Sequence, residues 1–247
     1  MPMISINIQN SSNTTNDFLY FMAPAAGMNA QPIYTTSLGT ARVAPYQQFG
    51  TIVSFEIDFQ YQAGVQQAHN PPVAGQQSGF SSACRSVFLT TGNKPALNTT
   101  TMVLSPLGLS EPVAGPNVPH GAFRIATPDY DSKSLTYYAG TALRTKAGGV
   151  VLPNFVIVSP NLSIDVQPMM TFQVAAGSAK TSVVINPSDY ARVGICNAAQ
   201  YTAFLVIYDS KGEFSVTGFD NDGQFLSCVN ATSLRRSVPL HRLFIPL

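Results

Sequence analysis

The sequence predicts an all-β protein: an antiparallel β-sandwich, jelly-roll-like, with long proline- and glycine-rich loops. Three observations predict it. Short apolar or alternating runs recur along the chain, separated by Gly, Pro and Asn breakers. No stretch of a dozen residues keeps a helical period. Residues 201–219, YTAFLVIYDSKGEFSVTGF, read as a β-hairpin.

The hairpin organises the rest. Phe204, Val206 and Tyr208 share one face of its first strand, and Ala203, Leu205 and Ile207 the other. A strand apolar on both faces belongs inside a sheet, covered above and below. Ser210-Lys211-Gly212 is the turn, with Gly212 supplying a positive φ. The return strand sets Phe214 and Val216 against Glu213, Ser215 and Thr217. Asn221-Asp222-Gly223 predicts a second turn before residues 224–229, which makes a three-strand meander.

Taken in order, residues 3–9 alternate Ile4, Ile6 and Ile8 against polar neighbours, a half-buried first strand. Residues 18–22 are a short apolar strand, and residues 31–43 a Thr-rich segment broken by Pro45-Tyr46-Gln47-Gln48. Residues 51–62 form one long strand with Phe55, Ile57, Phe59 and Tyr61 on one face. Its other face holds Ser54, Glu56, Asp58, Gln60 and Gln62. Residues 65–79, rich in Gln, Pro and Gly, are a long loop, as are residues 106–121. Strands are expected at 83–91, 99–105, 121–126, 135–142, 150–159, 162–167, 170–175 and 181–185, and residues 192–196 lead into the hairpin. Residues 188–192 hold at most a turn of helix. The whole chain, 1–247, reads as a single domain, with an extended segment at 237–247.

Composition narrows function more than any motif does. Charged residues are 10% of the chain, against roughly 25% in ordinary soluble domains. Asn and Gln together number 29, more than the 25 charged residues. Such a surface repels its own copies weakly, and few ions must be stripped of water when it is buried. A non-enzymatic, self-assembling structural protein is therefore expected: a homo-oligomeric shell, filament or inclusion subunit. Ile4, Ile6 and Ile8 of the first strand and Leu243, Phe244 and Ile245 of the tail are its candidate assembly residues, through strand addition to an open edge. The alternative is a lectin-like carbohydrate-binding module or a β-pore-forming toxin. Tyr130, Tyr137, Tyr138 and Asp129 would supply a glycan platform, and residues 33–43 an amphipathic strand that rearranges.

The net charge of +1 gives no footprint for nucleic acid. No apolar run reaches the length of a transmembrane helix. The N-terminal MPMISINIQN has no basic region followed by an apolar one, so no signal peptide is read there. A cytoplasmic protein, or one released by a non-classical route, is expected. Cys84, Cys196 and Cys228 lie far apart and are read as small apolar residues. His69, His120 and His241 have no ligand partner at metal spacing, so no cofactor is expected. Glu56 and Asp58, and likewise Asp129 and Asp131, are paired acids of the kind used in glycoside chemistry or cation binding. A solvated strand face is the plainer reading of both. Asp220 and Asp222 resemble the start of a calcium loop but lack its closing glutamate.

Overall fold

The computed structural model describes residues 3–25, 31–58, 60–92, 96–145, 148–220 and the backbone of Phe225–Val229. The chain opens with β1 (Met3–Asn10), β2 (Asn16–Met22), β3 (Tyr34–Val43), the helical turn α1 (Tyr46–Phe49), β4 (Ile52–Asp58) and β5 (Gln62–Ala68). Then come β6 (Ser81–Ser86), β7 (Leu97–Leu104), β8 (Leu107–Leu109), β9 (Val113–Ala114), β10 (Phe123–Ala126) and β11 (Thr136–Thr141). A small ribbon, β12 (Leu143–Arg144) and β13 (Val150–Val151), precedes β14 (Asn154–Val158), β15 (Ser163–Val166), β16 (Thr171–Ala176) and β17 (Val184–Ile185). A 3-10 turn at Pro187–Asp189 leads into β18 (Val193–Asn197), β19 (Ala203–Tyr208), β20 (Phe214–Phe219) and β21 (Phe225–Val229).

These strands make several sheets, mostly antiparallel. One five-stranded sheet runs β21-β20-β19-β1-β4. A second runs β15-β10-β7-β8, with β9 also on β7. The longest has nine strands, in the order β18-β16-β2-β3-β14-β11-β5-β6, with β17 also on β3. Two pairings are parallel, β1 with β19 and β7 with β10, where sequence reading expected antiparallel order throughout.

Apolar side chains from facing strands form two main cores. Ile4, Ile6 and Ile8 of β1 and Phe204 and Val206 of β19 meet Phe18 of β2 and Phe172 and Val174 of β16. Val65, Tyr137 and Val156 of the long sheet meet Met102, Phe123 and Ile125. Tyr61 packs against both. Neighbouring side chains on the long sheet turn the other way. Tyr138 and Phe155 stack at 4.6 Å in a third cluster, and Leu19 and Phe21 lie in a fourth. The long sheet is thus buried on both faces, which explains the run of small residues Ala63-Gly64-Val65 and Ala139-Gly140 along it. A Cβ on Gly64 would sit 2.6 Å from the Ala142 Cβ.

The hairpin and meander form as the sequence indicates. Gly212 has φ +75°, and the Asp209 carboxylate accepts from the amides of Lys211 (2.8 Å) and Glu213 (2.9 Å). Residues 221–224, the expected second turn, lie outside the described residues. Four expectations need correction. Residues 51–62 are not one strand: the chain leaves β4 in one sheet and enters β5 in another. Residues 65–68 are not loop but the buried end of β5; their amides and small side chains hid a strand from pattern reading. The face of β19 bearing Leu205 and Ile207 is only half-buried, not covered on both sides. The expected loop at 106–121 also contains β8 and β9, both paired with β7.

Candidate functional site

One open edge of the fold is β4. This strand pairs with β1 on one side, and among the described residues no strand pairs with the other. An antiparallel edge strand presents alternate N–H and C=O groups outward. Its sequence, Ile52-Val53-Ser54-Phe55-Glu56-Ile57-Asp58, alternates as well: Ser54, Glu56 and Asp58 are exposed, while Ile57 is buried.

Beside this edge is a cleft of about 820 Å³. Its floor is apolar, made of Leu38, Ile57, Leu143 and Val151, all buried. Phe55 stacks on Tyr20 at 4.0 Å, and burial pushes the Tyr20 phenol up to about 12. The far wall is the β12–β13 ribbon, closed where the Thr145 amide donates to the Gly149 carbonyl at 2.8 Å. Glu56, Asp58 and Arg144 stand on the rim. The cleft therefore offers backbone hydrogen-bonding groups, an apolar trough and charge of both signs. That combination suits an extended peptide.

The site residues named from sequence fare unevenly. Ile4, Ile6 and Ile8 are taken up by the core of their own chain, and β1 has a strand on each side. The first strand is therefore not the free connector expected. Leu243, Phe244 and Ile245 lie outside the described residues, as do Asp222 and His241. Asp220 is half-buried at the end of β20. Among the described residues no group of three His, Cys, Asp or Glu side chains could hold a metal.

The glycan platform does not form. Tyr137 and Tyr138 are buried, and the Tyr130 hydroxyl donates to the Val158 carbonyl at 2.6 Å. Asp129 accepts from Asn161 at 2.9 Å. Asp131 closes a turn, accepting from the Ser134 hydroxyl (2.6 Å) and the Lys133 amide (3.0 Å). Those bonds, the hydroxyl's foremost, hold its carboxyl below the usual range. Residues 33–43 supply β3, in the middle of the long sheet. Thr35, Thr36 and Ser37 are buried there, with their hydroxyls bonded to Asn154, Leu152 and Ala179. Cys196 is buried and Cys84 half-buried, and desolvation raises both thiols. His69 stacks on Phe80 at 4.2 Å.

Sequence reading saw the two acids of β4 but missed the cleft beside them. The signal was present in Thr145-Lys146-Ala147-Gly148-Gly149, a hairpin turn between two short apolar runs.

Among the described residues no helix is long and apolar enough to cross a membrane. No family model, no curated protein and no solved structure matches the chain.

Proposed function

We propose that the protein is a non-enzymatic structural subunit that assembles with copies of itself. The observation that carries this reading is the open β4 edge beside an apolar cleft, on a chain with few charges. An open edge is an invitation to pair with another chain, and natural proteins guard it with charged side chains, lysine above all, or with proline; the guards β4 has are Glu56 and Asp58. It has neither lysine nor proline. Exposed apolar side chains add to the case. Phe88, Leu97 and Val113 are each about half exposed or more and lie close together: the Phe88 amide donates to the Leu97 carbonyl at 3.0 Å, and Val113 pairs with Thr99 two residues on.

Each five-stranded sheet contributes to a core with strands of the long sheet, which supports two fused β-sandwiches sharing one sheet. The shared sheet, with Tyr61 in both cores, favours one domain over two.

Light scattering on a size-exclusion eluate, followed by negative-stain imaging, tests the reading. A mass several times that of the 26.4 kDa chain, with regular particles or fibres, is expected. A chain that stays monomeric at millimolar concentration would end the proposal.

A further inference from the structure

We propose that the β4 cleft receives residues 240–245 of a second copy, LHRLFI, added as a strand to the open edge. This rests on the self-assembly reading and names its joint. Three features on the two sides match.

The first is length. Pro239 and Pro246 bracket the six residues. Neither proline can donate a ladder hydrogen bond, so an added strand ends at both. β4 offers seven residues.

The second is alternation. In an extended segment His241, Leu243 and Ile245 fall on one face, and Arg242 falls on the other between Leu240 and Phe244. β4 carries Phe55 and Ile57 on one face and Glu56 and Asp58 on the other. Paired side by side, Leu243 and Ile245 reach the trough of Leu38, Leu143 and Val151. Arg242 then lies over the two acids.

The third is charge. Residues 230–247 contain Arg235, Arg236 and Arg242 and no Asp or Glu. The β4 side of the rim is acidic; among the described residues that line the cleft, Arg144 is the one cation, and it stands on the opposite wall.

The tail is long enough for either cleft, its own or a neighbour's, and the self-assembly reading assigns it to the neighbour's. The segment leaves its sheet at β21, the edge opposite β4. Reaching its own cleft means crossing roughly 19 Å of sheet at about 4.8 Å per strand. The extended tail spans up to about 60 Å, and the mixing experiment below separates insertion into a neighbour from insertion into the chain's own cleft. The joint is heterologous, tail into cleft, so it propagates into a ring or a filament.

The test uses two full-length variants. One carries Leu243→Asp and Ile245→Asp and has an intact cleft with a spoiled tail. The other carries Glu56→Lys and Asp58→Lys and has an intact tail with a spoiled cleft. Circular dichroism checks that each folds. Each alone is expected at the monomer mass. Mixed one to one, they are expected to form a dimer and stop, since only one good tail and one good cleft remain. A mixture that stays monomeric overturns the joint. So does either variant assembling as the wild type does, and that outcome leaves self-assembly through another surface standing. A monomeric wild type removes the self-assembly reading itself. A second measurement needs no variant: a labelled peptide of residues 237–247, added to the wild type, should saturate and lower the assembled mass. No effect at a hundredfold excess overturns the joint.

Discussion

Single residues hold this fold at points where the backbone leaves no choice. Gly212 closes the β19–β20 hairpin at φ +75°, a region costly for any side chain with a branched Cβ. Gly212→Val should cost about 1–2 kcal/mol, read from the urea midpoint. A neutral result would mean that the turn relaxes to another geometry. Asn154 acts differently. It is fully buried, donates to the Ala23 carbonyl at 2.8 Å and accepts from the Thr35 hydroxyl at 3.0 Å. It thereby ties β14 to β3 and to the end of β2. Asn154→Leu leaves both partners unsatisfied in the interior and should cost about 2–4 kcal/mol in the same assay. A loss under about half a kcal/mol would show that water reaches them. Asn10 makes a comparable knot, donating to the Thr14 and Val43 carbonyls at 2.7 and 2.9 Å. Because Asn10 and Asn98 are buried, two of the five Asn-x-Ser/Thr sequences are closed to glycosylation in the folded chain.

At the scale of elements, close approach decides more than propensity. β11 and β14 pass so near at Gly140 that an added Cβ would run into the Asn154 carbonyl and the Phe155 Cα. Gly140→Ala should therefore cost about 2–3 kcal/mol by forcing the strands apart. Gly108→Ala, whose Cβ meets only the Pro106 carbonyl at 3.7 Å, should leave the unfolding midpoint within about 0.5 kcal/mol. Equal effects at the two sites would contradict the packing described. This crowding also explains why β5 escaped sequence reading. A strand between two covered faces can be built from Ala, Gly and Gln, with few of the β-branched residues that usually announce one. The hairpin at 201–219 was legible because its turn chemistry is local. The parallel partner of β19 is β1, some 200 residues away, and no local pattern names it.

For the whole molecule, burial of tyrosine sets an alkaline limit. The phenols of Tyr20, Tyr130 and Tyr138 are pushed up to about 12, in each case chiefly by desolvation. Below about pH 10 they are protonated in the folded and unfolded chain alike, so their full contribution to stability is present. Between about 10 and 12 the unfolded chain loses these protons first, and stability falls as pH rises. Titration followed at 295 nm should show a late-ionising group near pH 12, with unfolding setting in between about 10 and 12. If all ten tyrosines ionise together near pH 10 in folded protein, those side chains are wetter than described.

The amino-acid sequence by itself determined the class of fold and the character of the surface. Period-two alternation and Gly, Asn and Pro turns are local signals, and a shortage of ions is compositional, so both can be read before folding. Only the tertiary structure decided which strands became neighbours. It drew Ile4, Ile6 and Ile8 into the core, buried the tyrosines of the supposed glycan platform, and assembled a cleft from β3, β4 and the β12–β13 ribbon, up to about 100 residues apart. The physical reason is that an edge, a trough and a covered face are relations between segments distant in the chain. Long-range burial fixes those relations, and no residue carries them alone.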